Sequence, residues 1–448
     1  MMVGHGSSSV GISRHHVPFL CGIFILSLYQ SGRISVSTTG VGNKEELIQF
    51  PDIDGRLLLH VDDGVVNSTS SNKLNPDKGF GACVLARDDN DKLREWIAYH
   101  YTVLPLRHVL VAVDDGSTDD PKDVLKRWQY AGIHDLTYNI VNVSEFVDLH
   151  SHFDKQIEEE ASPKVQFKVA HQHLLHKQRA FVTYCSRYMR SQEVIPKWTS
   201  LWDTDEFIVI NRISQDERKN DRPDEPDSLL SDEIRYGKQR STLPDMESNA
   251  TVFDIIESWT EPDTTLDLCH CLPRVTFGAL EDFQCPQSSH VKTIAEQNQI
   301  STKELNTIRF HQHARENDFG KNKWGKVMID LQDIPSRILD EQEPKNIHRP
   351  YASECPKPLV NVKTAPFVLM HHIGSYDRYT RNGGDKRRNY ESWTDRAFVN
   401  ESTSFCYQHV PKWLLRFMDN VGIEKARYIL SPEDEPKFDV SHSASLTT

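Results

Sequence analysis

Two hydrophobic periods alternate along the chain. Ala82–Ala86 is a short apolar run of the kind a buried strand needs, and the polar residues Arg87-Asp-Asp-Asn-Asp91 turn the chain after it. Leu93, Trp96, Ile97 and Tyr101 then recur at helical spacing, which predicts a helix from Lys92 to Val103 with Asp91 as its N-cap and Pro105 beyond its end. His108–Val113 reads as a second buried strand, and Asp114–Pro121 as a loop into a helix from Lys122 to Trp128, with Pro121 suited to the first turn. Asp135–Val143 is a third strand. A long helical pattern covers Val165 to Arg190, with Leu174, Leu175, Ala180, Phe181 and Tyr184 on its apolar side. The stretch Lys197–Asn211 follows: one buried strand, the acidic group Asp203-Thr-Asp-Glu206, and a second buried strand over Phe207–Ile210. Pattern returns at Thr251–Ser258, Cys271–Leu280 and Thr307–His311, as short strands at Val327–Ile329 and Phe367–His372, and as helices at Lys386–Val399 and Lys412–Asp419. Strand, helix, strand, helix, strand is the order of an α/β fold with a mostly parallel sheet covered on both faces. In such sheets ligands bind beyond the carboxyl ends of the strands, where Asp114 and Asp203 both fall. No tandem repeat is visible.

The ends and one internal segment read differently. Val17–Tyr29 is an apolar run behind Arg14-His15-His16, short for a bilayer span of roughly 17–25 residues. Residues 1–36 are read as a signal anchor or signal peptide, although Gln30, Ser31 and Arg33 weaken the anchor. Residues 37–78 are polar and suit a stem or linker, with a stray strand at Leu57–Val61, and the folded domain spans 79–430. Within it, 213–247 is dense in charge and proline and reads as a solvated insertion; 431–448 is a loose tail. Asn67, Asn142, Asn249 and Asn400 stand in glycosylation tripeptides, which support a secretory route weakly. Of 8 cysteines, Cys83 and Cys185 fit plain core thiols, whereas Cys269, Cys271, Cys285 and Cys355 lie in irregular stretches that suit disulfides of an oxidising lumen. Cys269-His270-Cys271 has the wrong spacing for a usual zinc site.

Composition narrows the function. The 448 residues suffice for one large or two ordinary domains, and 38% hydrophobic content supports a true core. A net charge of −13 speaks against a nucleic-acid binder. Two carboxylates at one strand end repel each other and call for a cation, and an all-oxygen donor set suits Mn²⁺ or Mg²⁺ rather than zinc. Read alone, Asp203-x-Asp205 is more often a surface turn of an acidic protein than a metal site, and it is the company of the other motifs that favours the metal. Glu206 either supports the site from behind or is simply solvated. His371 and His372 end a strand; one can ligate a metal with Asp203 and Asp205, and strand alternation turns only one of them inward. The Asp114–Asp119 loop offers carboxylates to a ribose or base, or is an Asx turn before a helix. Arg378, Arg381, Lys386, Arg387 and Arg388, and separately Lys177-Gln-Arg179, are either solvated basic faces or cations for a diphosphate.

Taken in order, these pieces resemble a known family. Leu85–Asp91 leads to Glu95-Trp-Ile-Ala-Tyr-His100; Asp114-Asp-Gly-Ser-Thr-Asp119, Lys177-Gln-Arg179, Asp203-Thr-Asp-Glu-Phe207 and His371-His-Ile-Gly-Ser375 follow. The set resembles GT-A type glycosyltransferases, nearest in pattern to glycosyltransferase family 92 (the former domain of unknown function 23) and the related family 2. It spans roughly Gly79 to Phe398. Asp88-Asp89 stands where the family carries Asn-Glu, and the middle insertion has no counterpart. The resemblance implies a GT-A (Rossmann-like) fold with a smaller acceptor-side α+β region. It implies a metal-dependent transfer of sugar from a nucleotide-sugar donor to an acceptor hydroxyl of a glycan, protein or lipid, with inversion favoured over retention but the choice between them left open. It places the nucleotide-sugar near Asp88, Asp89, Asp114, Asp115, Arg179 and Arg387, and Mn²⁺ or Mg²⁺ on Asp203 and Asp205 with His371 or His372. Glu281 and Asp282 are the candidate bases, with Asp377 as the other option. The expected location is the Golgi or endoplasmic reticulum membrane, single-pass with a lumenal catalytic domain, or alternatively secretion. The competing functions are a nucleotide-sugar hydrolase and a catalytically inactive carbohydrate- or nucleotide-binding protein of the same fold.

Overall fold

A computed structural model describes residues 79–147, 163–211, 268–278, 286–313, 325–342, 344–351, 353–355, 362, 365, 367–381, 393, 405–406 and 412–432. The proposed N-terminal anchor, the stem with its stray strand, the 213–247 insertion, all but Trp393 of the helix over Lys386–Val399, nearly all of the tail, and Asn67, Asn249 and Asn400 lie outside these residues. All described residues belong to one compact unit, Ser70–Thr448.

The chain opens with β1 (Phe80–Ala86), α1 (Asn90–Val103), β2 (Leu106–Val113), α2 (Lys122–Tyr130) and β3 (Thr137–Asn142). α3 (Pro163–Arg190) then leads to β4 (Trp198–Ser200), and β5 (Glu206–Ile210) follows after a short turn. Later come β6 (Cys269–Leu272), β7 (Arg274–Phe277), α4 (Pro286–Gln297), α5 (Asn306–Arg309) and β8 (Gln312–His313). β9 (Lys326–Asp330), α6 (Ser336–Glu341), β10 (Phe367–His372), α7 (Tyr376–Arg381), β11 (Phe405–Cys406), α8 (Lys412–Val421) and α9 (Ile423–Leu430) complete the described order.

The strands form two sheets. The first is six-stranded in the order β3-β2-β1-β4-β9-β6; β3, β2, β1 and β4 run parallel, and β9 is antiparallel to both β4 and β6. The chain moves outward from β1 to β3 and returns through α3 to β4 on the other side of β1. The strand order therefore reverses at β1, and the loops after β1, β2 and β4 share one edge, the ligand edge of such sheets. The second sheet has the order β11-β8-β7-β10-β5, with β10 antiparallel to β5 and parallel to β7. The mixed α/β architecture with a mostly parallel sheet is thus present. The sequence pattern placed β4 and β5 as two strands but did not assign them to different sheets, because apolar period marks a strand and not its partner.

Strand alternation divides the core. Ala82 and Val84 of β1 and Val109 and Val111 of β2 face α1 and α2, where Trp96 and Trp128 are fully buried. Cys83, Leu110 and Ala112 face the other way, onto Phe181, Val182 and Cys185 of α3. Each such large side chain removed from water contributes roughly 1.5–3 kcal/mol. Cys83 and Cys185, which fit plain core thiols in the sequence, are joined as a disulfide across that second face; Cys269 and Cys355 form another. The register needs Gly81: a Cβ there would lie 2.7 Å from Pro196 Cγ and 2.8 Å from Thr199 Oγ1.

Three local differences have clear reasons. The N-cap of α1 is Asp89 rather than Asp91, and its carboxylate makes no cap because it holds Lys92 and accepts from Arg87 N. The expected run Cys271–Leu280 divides into β6 and β7 at Pro273, which cannot donate to a ladder. α9 follows α8 through Gly422 at φ 89, a left-handed corner that glycine adopts without cost. Among the described residues no helix is long and apolar enough to cross a membrane.

Candidate functional site

The acidic turn sits where the chain leaves the first sheet for the second. β4 ends at Ser200 and β5 begins at Glu206. Trp202 anchors the turn: it is buried, and its indole N–H donates to Val327 O at 3.2 Å. Asp203 N donates to Glu206 Oε2 and Glu206 N donates to Asp203 O, each at 3.0 Å. This closed loop brings carboxylate oxygens of Asp203, Asp205 and Glu206 within 4.8 Å of one another. Asp203 is the most open, with 49% of its side chain exposed, whereas Glu206 is fully buried rather than solvated.

Three cations stand among these acids. Lys326, the first residue of β9, is fully buried, with Nζ 2.8 Å from Asp203 Oδ2 and 3.4 Å from Glu206 Oε2. Arg274, the first residue of β7, pairs with Glu206 Oε1 at 2.9 Å. Lys92 holds Asp89 at 2.6 Å, and both groups feel Asp205. Desolvation pushes the Asp203 carboxyl up, but Lys326, helped by Arg274, outweighs it and holds the group below its ordinary pKa. Asp89 goes the other way: burial raises it, against Lys92 and with the help of Asp205. His348 adjoins the same group; burial first, then Lys326 and Arg274, lower its pKa to about 4, so its imidazole is neutral.

The paired histidines diverge as strand alternation requires. His371 lies with Nε2 3.7 Å from Asp205 Oδ2, on the acidic side. His372 turns into the core of the second sheet between the rings of Phe207 and Phe277, and burial lowers its pKa to about 3. Its backbone N–H donates to Asp205 O at 2.9 Å, so it supports the turn through the main chain.

The loop after β2 lies along the same sheet edge. Asp88, at φ 52, occupies the left-handed region that Asp tolerates better than most residues. Its Oδ1 accepts from Thr118 N at 2.6 Å and from Thr118 Oγ1 at 2.8 Å. Desolvation raises the Asp88 pKa, but the Thr118 and Asp119 donors more than reverse it. Asp88 therefore spends its carboxylate on shaping the loop. Asp114 accepts from Gly116 N and pairs with Lys177 of α3, both at 3.0 Å, which hold its pKa down against burial. Gly116 has no left-handed backbone, and a Cβ there would lie 3.1 Å from Nη2 of the flexible Arg87 side chain. Asp115 is exposed and accepts from Ser144 N at 3.3 Å. Arg179 donates to Lys345 O at 3.1 Å. Glu281, Asp282 and Arg387 lie outside the described residues, and Asp377 is exposed in the first turn of α7.

The structure thus gathers Asp203, Asp205, Glu206, Asp89 and His371 into one charged group. Lys326, Arg274, Lys92 and His348 join them, and nothing in the sequence pattern singled these four out. A lysine or arginine at the head of a short apolar run reads as a solvated strand start; only pairing between sheets buries it. Carboxylate oxygens of Asp203, Asp205 and Glu206 lie close enough together to hold a metal ion, and the Lys326 ammonium lies against two of the three. No protein-family model matches the chain, and no curated protein matches it.

Proposed function

We propose that the protein is a metal-dependent glycosyltransferase of the GT-A type, as its resemblance to glycosyltransferase family 92 implies, moving sugar from a nucleotide-sugar to an acceptor hydroxyl. The observation that carries the reading is the convergence of Asp203, Asp205 and Glu206 within 4.8 Å at the carboxyl edge of a mostly parallel sheet, beside the Asp114–Asp119 loop. Asp203 and Asp205 would hold the ion, with His371 nearby and Glu206 kept behind them by Arg274 and Lys326. Bound there, the ion supplies charge stabilisation to the departing diphosphate. The chain's own residues do the rest. Asp88 and Asp114 keep the β2 loop in shape, and Asp115 offers an exposed acceptor to a ribose or base. Lys177 and Arg87 add positive charge near the loop. Glu281 and Asp282 are the candidates for taking the acceptor proton in an inverting reaction. The disulfides Cys83–Cys185 and Cys269–Cys355 support a lumenal or secreted location, where the thiols of the chain meet oxidising conditions.

One observation favours a second reading. Lys326 already supplies a cation to Asp203 and Glu206, as a metal-free binding protein of this fold would need. A panel of nucleotide-sugars with Mn²⁺, read out as transfer or slow donor hydrolysis, separates the two. The transferase reading expects donor turnover that chelator removes. Turnover undiminished in excess chelator would sink the metal role, and donor binding without turnover would favour the binding protein.

A further inference from the structure

The acidic group carries its own counter-ion, and that has a consequence for metal binding. A lysine with 0% exposure is rare, because an ammonium loses its hydration on burial and needs carboxylates to offset the loss. Lys326 reaches two: Asp203 at 2.8 Å and Glu206 at 3.4 Å. Glu206 is shared with Arg274 at 2.9 Å and with the Asp203 backbone N–H at 3.0 Å, so its oxygens are already committed. Asp203 differs. It is half exposed and faces the open side, yet one of its oxygens lies against Lys326.

We infer that Lys326 is a resident cation that competes with a divalent ion for Asp203, keeping the acidic turn in order without metal and setting the affinity of the site low. A divalent ion arriving at Asp203 and Asp205 meets the unit charge of Lys326 through the same carboxylate, and two positive charges a few ångströms apart in a poorly hydrated place repel strongly. Replacing Lys326 with a neutral side chain removes that repulsion. It also takes the ammonium away from Asp203, whose oxygen a divalent ion can then claim without competition, while Glu206 keeps Arg274 and the Asp203 backbone N–H. Lys326 is thus a positioning residue acting through Asp203. This inference rests on the metal reading of the site and goes beyond it.

The test measures Mn²⁺ binding to the full chain by titration calorimetry, with no nucleotide present. The proteins are wild type, Lys326→Met, Lys326→Gln, Lys326→Arg, and a double variant Asp203→Ala with Asp205→Ala. Lys326→Met and Lys326→Gln are expected to bind Mn²⁺ at least about tenfold more tightly than wild type, and Lys326→Arg close to wild type. A purely structural lysine would give no gain in affinity. Thermal unfolding gives a second reading: the two neutral variants are less stable than wild type without metal, and Mn²⁺ raises their melting temperature more than it raises that of wild type. If a neutral variant is recovered folded only with Mn²⁺ present, that supports the inference as well. Affinity unchanged or weaker in both neutral variants, with wild type binding measurably better than the double variant, overturns the inference and leaves the metal site standing. If wild type and both neutral variants bind no better than the double variant, the metal reading itself fails, and the inference with it.

Discussion

Glu206 lies between Arg274 and Lys326 without contact with water, and its removal takes a carboxylate from the fully buried Lys326 and the part-buried Arg274. Glu206→Ala is therefore expected to lower stability by roughly 3–5 kcal/mol, read as a lower urea midpoint with metal absent. Asp205→Ala should behave oppositely. Asp205 is partly exposed, so the variant is expected to stay folded by circular dichroism, and under the proposed function metal-dependent donor turnover falls by about a hundredfold or more. His100 carries a pH effect. Its Nδ1 faces Trp96 O at 2.8 Å, the ring stacks on Phe207, and burial lowers its pKa from 6.5 to about 3. The unfolded chain binds this proton more readily, so the contribution is whole above the unfolded value of 6.5 and is lost as pH falls toward about 3. His100→Gln is expected to flatten the fall in unfolding free energy over that window, measured by denaturant titrations at several pH values. At this scale Asp203, Asp205 and the divergence of His371 from His372 were legible in the sequence, since strand ends and period-two alternation are local properties. Lys326 and Arg274 were not, because their partners lie more than sixty residues away in the chain.

At the scale of elements, α1, α5 and α8 are tied through one carboxylate. Glu95 of α1 accepts from Asn306 N and Thr307 N at 2.7 Å and from Thr307 Oγ1 at 2.6 Å, and Trp413 of α8 donates to that hydroxyl at 2.8 Å. The sequence placed Glu95 in a family-like Glu-Trp-Ile-x-Tyr-His run, and its helical spacing showed only that the residue belongs to a helix. The structure gives it a structural duty, as the acceptor for the first backbone donors of a helix remote in sequence. β1 offers a test of the sheet itself. Gly81→Ala must push Pro196 and Thr199 away from the β1–β4 pair, and is expected to cost about 1–3 kcal/mol, read from the denaturant midpoint. Most elements from β1 to α3 were readable from hydrophobic period, because β1, α1 and β2 are long and largely buried. Two-residue strands such as β8 and β11 have no period to read, and exist only because neighbouring chain supplies their partners.

For the whole molecule, the Cys83–Cys185 disulfide joins the central strand to α3 across 102 residues of sequence, enclosing β2, β3 and the Asp114–Asp119 loop. Closing a loop of that length removes denatured-state freedom worth about 4–5 kcal/mol. Cys83→Ala together with Cys185→Ala is expected to lower the unfolding free energy by that order, and reductant should shift the wild-type midpoint further than the variant's, which keeps only Cys269–Cys355 to lose. Pairing was out of reach of the sequence, since 8 cysteines allow many connectivities and spacing ranks none of them. The α/β alternation, the parallel half-sheet and the position of two acidic loops at one edge follow from local periodicity, which burial on one or both faces imposes residue by residue. The second sheet does not follow from it, nor the burial of Glu206 and Lys326, nor the identity of the cations around Asp203. Those depend on which strand ends meet across the seam between the sheets, and charge pairing there is a contact between distant residues that no local pattern encodes.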